Sequence, residues 1–202
     1  MQRAPWWTLL SSGSAPVLLI SGWAIAGLLQ GPGYDPVTQT ISLLAAEGAP
    51  GRWVLTATLF ALGACHLVTA WGLRAAAFAG RLALSAGGMS VIALALIPAP
   101  SRGGSLGHGF VAGVAFVLMA AWPTLAAHRG EPAPWALRPA LSIGASALMV
   151  VGAAWFLAAL RYQGAPGAAE RVLTFVQSLW PFVVAASCRR RPQGMVNPTR
   201  AP

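Results

Sequence analysis

The chain has no lysine, only four acidic residues and only two cysteines among its 202 residues. Charged residues make up 8% of it, against about a quarter in an ordinary soluble domain. So few charges cannot cover a water-exposed surface, which excludes a soluble globular fold and makes a membrane protein the default. Cys65 and Cys188 lie in or beside apolar segments without metal-ligand spacing. That pattern argues against a disulfide framework and a structural zinc site. The first apolar run is long and lacks a small-x-small cleavage site, so it reads as a retained span rather than a signal peptide.

What is present is apolar: 56% of residues are hydrophobic and the mean hydropathy is +0.65. A bilayer core about 30 Å thick needs roughly 20 apolar residues per helix. Six segments meet that need, at about 7–29, 53–73, 82–98, 109–127, 139–160 and 172–188. The expected fold is an all-α integral membrane protein, a six-transmembrane-helix bundle with a short interfacial or re-entrant helix between the first two spans. Residues 1–190 form a single membrane domain and 191–202 a basic tail. Trp6, Trp7, Trp53, Trp71 and Trp135 lie near span ends, as an interfacial aromatic belt requires. Trp23 and Trp155 lie deeper, where they would pack between helices. Gly109 and Gly113 form a GxxxG at the start of the fourth span, a pattern that permits close helix approach.

All thirteen basic residues are arginine, and they are unevenly placed. With the N-terminus inside, Arg3, Arg74, Arg81, Arg129, Arg138, Arg189, Arg190, Arg191 and Arg200 fall on the cytoplasmic side. Only Arg52, Arg102, Arg161 and Arg171 fall outside, so both termini are expected in the cytoplasm. The net charge of +9 is thereby explained as membrane anchoring, and no nucleic-acid partner is expected.

Between the first two spans lies GPGYDPVTQTISLLAAEGAPGRW, residues 31–53, which holds two of the four acids, Asp35 and Glu47. Gly31, Pro32 and Gly33 break the first helix. Asp35 suits an N-cap and Pro36 a first helical position. A lid helix is therefore expected over about 36–47, ended by Gly48 and Pro50 and too short to span. It should lie at the outer face and cap the bundle.

Other polar residues reach the same face: His108 opens the fourth span, and Glu170 and Arg171 open the sixth. Arg102, Tyr162 and Gln163 lie in adjoining loops. Ionisable groups at membrane depth tend to face the bundle interior. The candidate binding residues are therefore Asp35, Gln39, Ser42, His108, Glu170 and Arg171. Of these, His108, Asp35 and Glu170 are the candidates for general acid–base chemistry. Each has a plainer reading: Asp35 as an ordinary cap, and Glu170 with Arg171 as a structural ion pair or helix-end cap. His66, within the second span, reads as a neutral hydrogen-bonded group, and Gln177 as an interhelical hydrogen bond. No cofactor is expected; a divalent metal held by two carboxylates and a histidine is the alternative, on long-range and unspecific spacing.

The stretch YDPVTQTISLLAAEGAPGRW resembles the signature loop of bacterial integral membrane proteins known as domain of unknown function 998. LIPAP at the end of the third span, GHGF opening the fourth and ERVLTFVQSLW opening the sixth fit it too, from Gly31 to Trp180. This chain departs from the family pattern in two places. Ala99, Pro100, Ser101 and Arg102 stand where an Asp often follows the third-span proline. Leu43 and Leu44 follow Ile41 and Ser42, where an acid is frequent. The resemblance implies a six-helix membrane protein and brings no reaction with it. Together with the Arg-only, Ala- and Gly-rich composition, it places the chain in a bacterial cytoplasmic (inner) membrane. The leading expectation is a protein that binds a membrane lipid or small hydrophobic ligand near the outer face, or an accessory membrane factor. A membrane-embedded hydrolase or transferase acting on a lipid or isoprenoid comes second, and a small transporter third. Ligand, oligomeric state and pathway are left open.

Overall fold

Backbone groups in hydrocarbon have no water to bond, so long apolar runs become helices that satisfy themselves. The computed structural model describes residues 4–100, 105–128, 130 and 133–189. Arg3, Arg102, Arg129, Glu131, Arg190 and the expected tail at 191–202 lie outside the described residues. The described residues are all-helical, with no strand. The helices are α1 (Trp6–Leu28), α2 (Ile41–Leu44), α3 (Arg52–Gly72), α4 (Phe78–Leu96), α5 (Leu106–Ala126), α6 (Pro139–Arg161) and α7 (Pro166–Ser187). A 3₁₀ turn, Trp135–Leu137, precedes α6. Pro139 and Pro166 open α6 and α7, positions where the missing N–H removes no helical bond.

Five helices, α1, α3, α4, α5 and α6, are long and apolar enough to cross a membrane, by length and composition. The chain is a multi-pass membrane protein. Helix α7 has 22 residues but is too polar to join the five. It begins at Pro166 rather than near 172, because Glu170 and Arg171 lie within its first turns instead of ahead of it.

Each long helix packs on the next in sequence, and α7 closes back on α1. The six long helices thus form a ring in the order α1, α3, α4, α5, α6, α7. Small residues let the backbones approach: a Cβ on Gly63 would lie 2.6 Å from the Gly88 carbonyl oxygen of α4, and one on Gly80 2.3 Å from the Ala126 Cα of α5. Hydroxyl pairs add to these contacts, with Ser11 and Thr69 at 2.9 Å across α1–α3, and Thr124 donating to Ser146 at 2.8 Å across α5–α6. Arg81 donates to the Ala70 and Trp71 carbonyls, satisfying the end of α3.

The GxxxG expectation is corrected. A Cβ on Gly109 or Gly113 would meet nothing within 4 Å, and both glycines are exposed on the outer surface of α5. Leu106, Phe110 and Val117 share that outward exposure, so this part of α5 belongs to the apolar exterior. Trp6, Trp53 and Trp71 are exposed near helix ends, and Trp23 packs inward. Trp155 does not pack between helices as expected; it is 45% exposed.

The two ends of the ring are filled differently. At the end away from α2, fully buried Trp122, Leu84, Leu137 and Val184 form an apolar plug. At the α2 end, Ile41 and Leu44 pack with Ala26 and Leu55 as a cover.

The packing predicts opposite outcomes for two glycines. Gly80→Ala should destabilise the protein by about 1–3 kcal/mol, the usual cost of overpacking. Gly109→Ala should leave stability unchanged. Thermal unfolding of both variants in one mild detergent checks this; equal behaviour would remove the α4–α5 close approach.

Candidate functional site

The site is built from the segment between α1 and α3. Gly31 adopts φ +80° and Gly48 φ +79°, the left-handed turns that end α1 and reverse the chain before α3. Asp35 accepts hydrogen bonds from the Thr38 hydroxyl at 2.6 Å and the Val37 N–H at 3.0 Å. These bonds hold its exposed carboxyl below the usual aspartate range. The Gln39 N–H bonds the Asp35 carbonyl, closing one capped turn.

The expected lid helix over 36–47 is corrected: the capped turn is followed by an extended Thr40, and the helix proper is only Ile41–Leu44. The reason is competition from α7. Arg171 donates to the Pro36 carbonyl at 2.8 Å, the Gln39 carbonyl at 2.9 Å and the Gly167 carbonyl at 2.9 Å. The Ala168 N–H takes the Val37 carbonyl at 3.0 Å. The Ile41 N–H goes to the Glu170 carboxylate, which also accepts from the Ser42 hydroxyl at 3.2 Å. Groups that would have formed a continuous ladder are thus paired with α7 instead. Arg171 also bonds the Tyr34 hydroxyl and lies over the Trp23 ring. A Cβ on Gly167 would lie 2.2 Å from the Gln39 carbonyl oxygen, so the loop rests directly on that glycine.

Below α2 lies an interior cavity of about 90 Å³, several times the volume a single water occupies. Its walls come from α1, α3, α4, α5 and α7, and are mostly apolar, with Leu19, Leu59, Val91 and Phe116 among them. Ser42, His108 and Glu170 line its upper part. Thr174, Gln177, Ser178 and His66 line it further along α7 and α3.

The His108 backbone N–H donates to the capping Ser105 hydroxyl, and the ring is held by Nδ1, 2.8 Å from the Ile97 carbonyl. A carbonyl only accepts, so Nδ1 carries a hydrogen and, in the neutral ring, Nε2 carries a lone pair. Nε2 is buried and has no partner. The expectation of a hydrogen-bonded His66 is not met at Nδ1, which is also buried without a partner. Gln177 does form its interhelical bond, donating to the Phe116 carbonyl of α5 at 3.2 Å.

The structure therefore divides the candidates. Ser42, His108 and Glu170 meet at one cavity. Asp35, Gln39 and Arg171 instead build and hold the loop above it. His108 bonds neither Asp35 nor Glu170, whose bonds are to loop and α2 groups. Glu170 and Arg171 are not mutual partners but address different groups of the same loop. Tyr162 and Gln163 are exposed, and Arg102 lies outside the described residues. Among the described residues no three His, Cys, Asp or Glu side chains form a metal-holding group, so the divalent-metal alternative has no donor set there. The lining residues missed from sequence are Thr174 and Ser178, with His66 and Gln177 assigned only structural roles. A signal was present: positions 170, 174, 177 and 178 recur at helical spacing and form a polar stripe on one face.

A family model described as Protein of unknown function (DUF998) matches residues 14–187. No curated protein and no solved structure matches the chain.

Arg171 holds the loop with charged hydrogen bonds, each typically worth about 1.5–3 kcal/mol. Arg171→Ala should speed amide hydrogen exchange across residues 34–44 at least tenfold, with the Trp122 region unchanged. Uniform protection in the variant would show that the loop is held by other contacts.

Proposed function

This chain belongs to the family Protein of unknown function (DUF998), and we propose that it is a six-span protein of a bacterial cytoplasmic membrane that holds a lipid or small hydrophobic ligand inside the helix ring. The observation that carries the reading is the covered cavity beneath α2, apolar for most of its wall and edged by a few oriented polar groups. Binding sites for small apolar ligands have this character.

In this reading α7 is the sixth span. Its polarity has a place to go: Glu170, Gln177 and Ser178 are buried and face the ring interior, so lipid meets little of it. The cover then lies at the outer face, because the order of six spans along the sequence assigns four arginines to loops on its side and nine to the loops and termini on the other. Both termini are cytoplasmic.

A second reading is a hydrolase or transferase acting on a lipid or isoprenoid. It draws on His108, whose Nδ1 is fixed and whose Nε2 has a lone pair without a partner, an arrangement suited to a general base. Binding stands ahead of it because His108 has no carboxylate partner to orient or charge it.

Two measurements test the proposal. Mass spectrometry of lipids copurifying in mild detergent should find a species retained by wild type and reduced at least tenfold in Ala112→Phe, which fills the cavity. An empty wild type, or equal retention by a folded variant, would sink the ligand-binding reading. In the same assay, accumulation of that species in His108→Ala would favour catalysis. For orientation, Ala49→Cys in a background with Cys65 and Cys188 replaced by alanine should react with an impermeant maleimide added outside spheroplasts. Labelling only after lysis would invert the topology.

A further inference from the structure

Most of the polar groups around the cavity have their hydrogens turned elsewhere; the exceptions are the ring N–H of His66, which bonds nothing, and the second amide hydrogen of Gln177. Ser42 donates to Glu170, Thr174 donates to the Glu170 carbonyl at 2.7 Å, and Ser178 donates to the Phe175 carbonyl at 3.0 Å. The Nδ1 hydrogen of His108 is taken by Ile97, and Gln177 gives one amide hydrogen to Phe116. Both Glu170 carboxylate oxygens accept. What these side chains have left for an occupant is chiefly lone pairs. The buried Nε2 of His108 is the clearest case, an acceptor with no donor to meet it.

Positive charge is missing from the described lining as well. Among the described residues no arginine lines the cavity, and the chain has no lysine. Arg171, the cation nearest in sequence to Glu170, is turned to the carbonyls of Pro36, Gln39 and Gly167 and to Tyr34. A carboxylate or phosphate entering the cavity would be desolvated against lone pairs and a glutamate, with no counter-charge, which is strongly unfavourable.

We propose that the occupant is the head end of an amphiphile whose hydrogen-bond-donating head is not anionic, an alcohol or a primary amine on an apolar chain, and not a fatty acid or acidic phospholipid. The inference rests on the ligand-binding reading and adds the chemistry of the head. The apolar walls take the few carbons next to the head that about 90 Å³ admits, and the acceptors of Glu170, His108 and Thr174 take the head.

The test is thermal stabilisation of the wild-type protein in mild detergent by 1-dodecanol, dodecylamine and dodecanoate, which share one chain length. The alcohol should stabilise at a concentration about tenfold or more below the acid, with the amine on the alcohol's side. His108→Leu should weaken the alcohol effect about tenfold, and Thr174→Val, a smaller change, should weaken it in the same direction. Dodecanoate stabilising as well as the alcohol would overturn the inference while leaving the cavity as a ligand site. No effect from any of the three, in protein that still copurifies with a lipid, would also overturn the inference alone. No effect in protein that copurifies with nothing would remove the ligand-binding reading with it.

Discussion

A chain segment that leaves its helix near a membrane surface must find new partners for its carbonyls, and here one guanidinium finds them. Arg171 gathers the carbonyls of Pro36, Gln39 and Gly167, while the adjacent Glu170 receives the Ile41 N–H and the Ser42 hydroxyl. An arginine fits this task where a lysine would not, because its planar fork offers several fixed donors at once. Without that anchorage, Ile41 and Leu44 would have no fixed position over Ala26 and Leu55, and the ring would have no cover. The cavity beneath α2 depends on two consecutive residues of α7.

The same constraint explains why α7 differs from the other long helices. A helix that must supply charged groups at one end and line a cavity along one face cannot be uniformly apolar. Its stripe of Glu170, Thr174, Gln177 and Ser178 is tolerable because α1 and α6 flank it and its polar face looks inward. At the far end of the helix the demand reverses. Val184 and Ala185 join the Trp122 plug, and the interior there is packed with buried apolar side chains. One helix therefore carries both the open and the closed half of the bundle.

The long helices were legible in the sequence because hydropathy reads them directly, and five of six boundaries fell within a few residues. The sixth was misjudged by the two charges within its first turns, which hydropathy treats as flanks. The loop was half legible. Asp35 does cap a turn, but local capping rules could not foresee that Arg171 and Glu170, far along the chain, would take the bonds a longer helix needs. The GxxxG at Gly109 failed for a related reason: the motif says that close approach is permitted, and the ring's geometry decides which face uses it. The candidate residues share the α2 end of the ring, but only side-chain direction separates Ser42, His108 and Glu170 from Asp35, Gln39 and Arg171.

That separation bears on what the cavity can do. A general base needs a group that holds it and, in most constellations, a carboxylate that stabilises its protonated form. His108 has the first, from Ile97, and lacks the second. Glu170 is the carboxylate on the same cavity, but it bonds the Ile41 N–H and the Ser42 hydroxyl of α2 and not His108. Catalysis in this arrangement would have to bring a carboxylate to His108 that the structure places elsewhere. Binding requires only that a donor reach the lone pair of His108 while the cover stays in place. The bonding of Glu170 thus ranks the two readings on a physical ground that neither composition nor motif could supply.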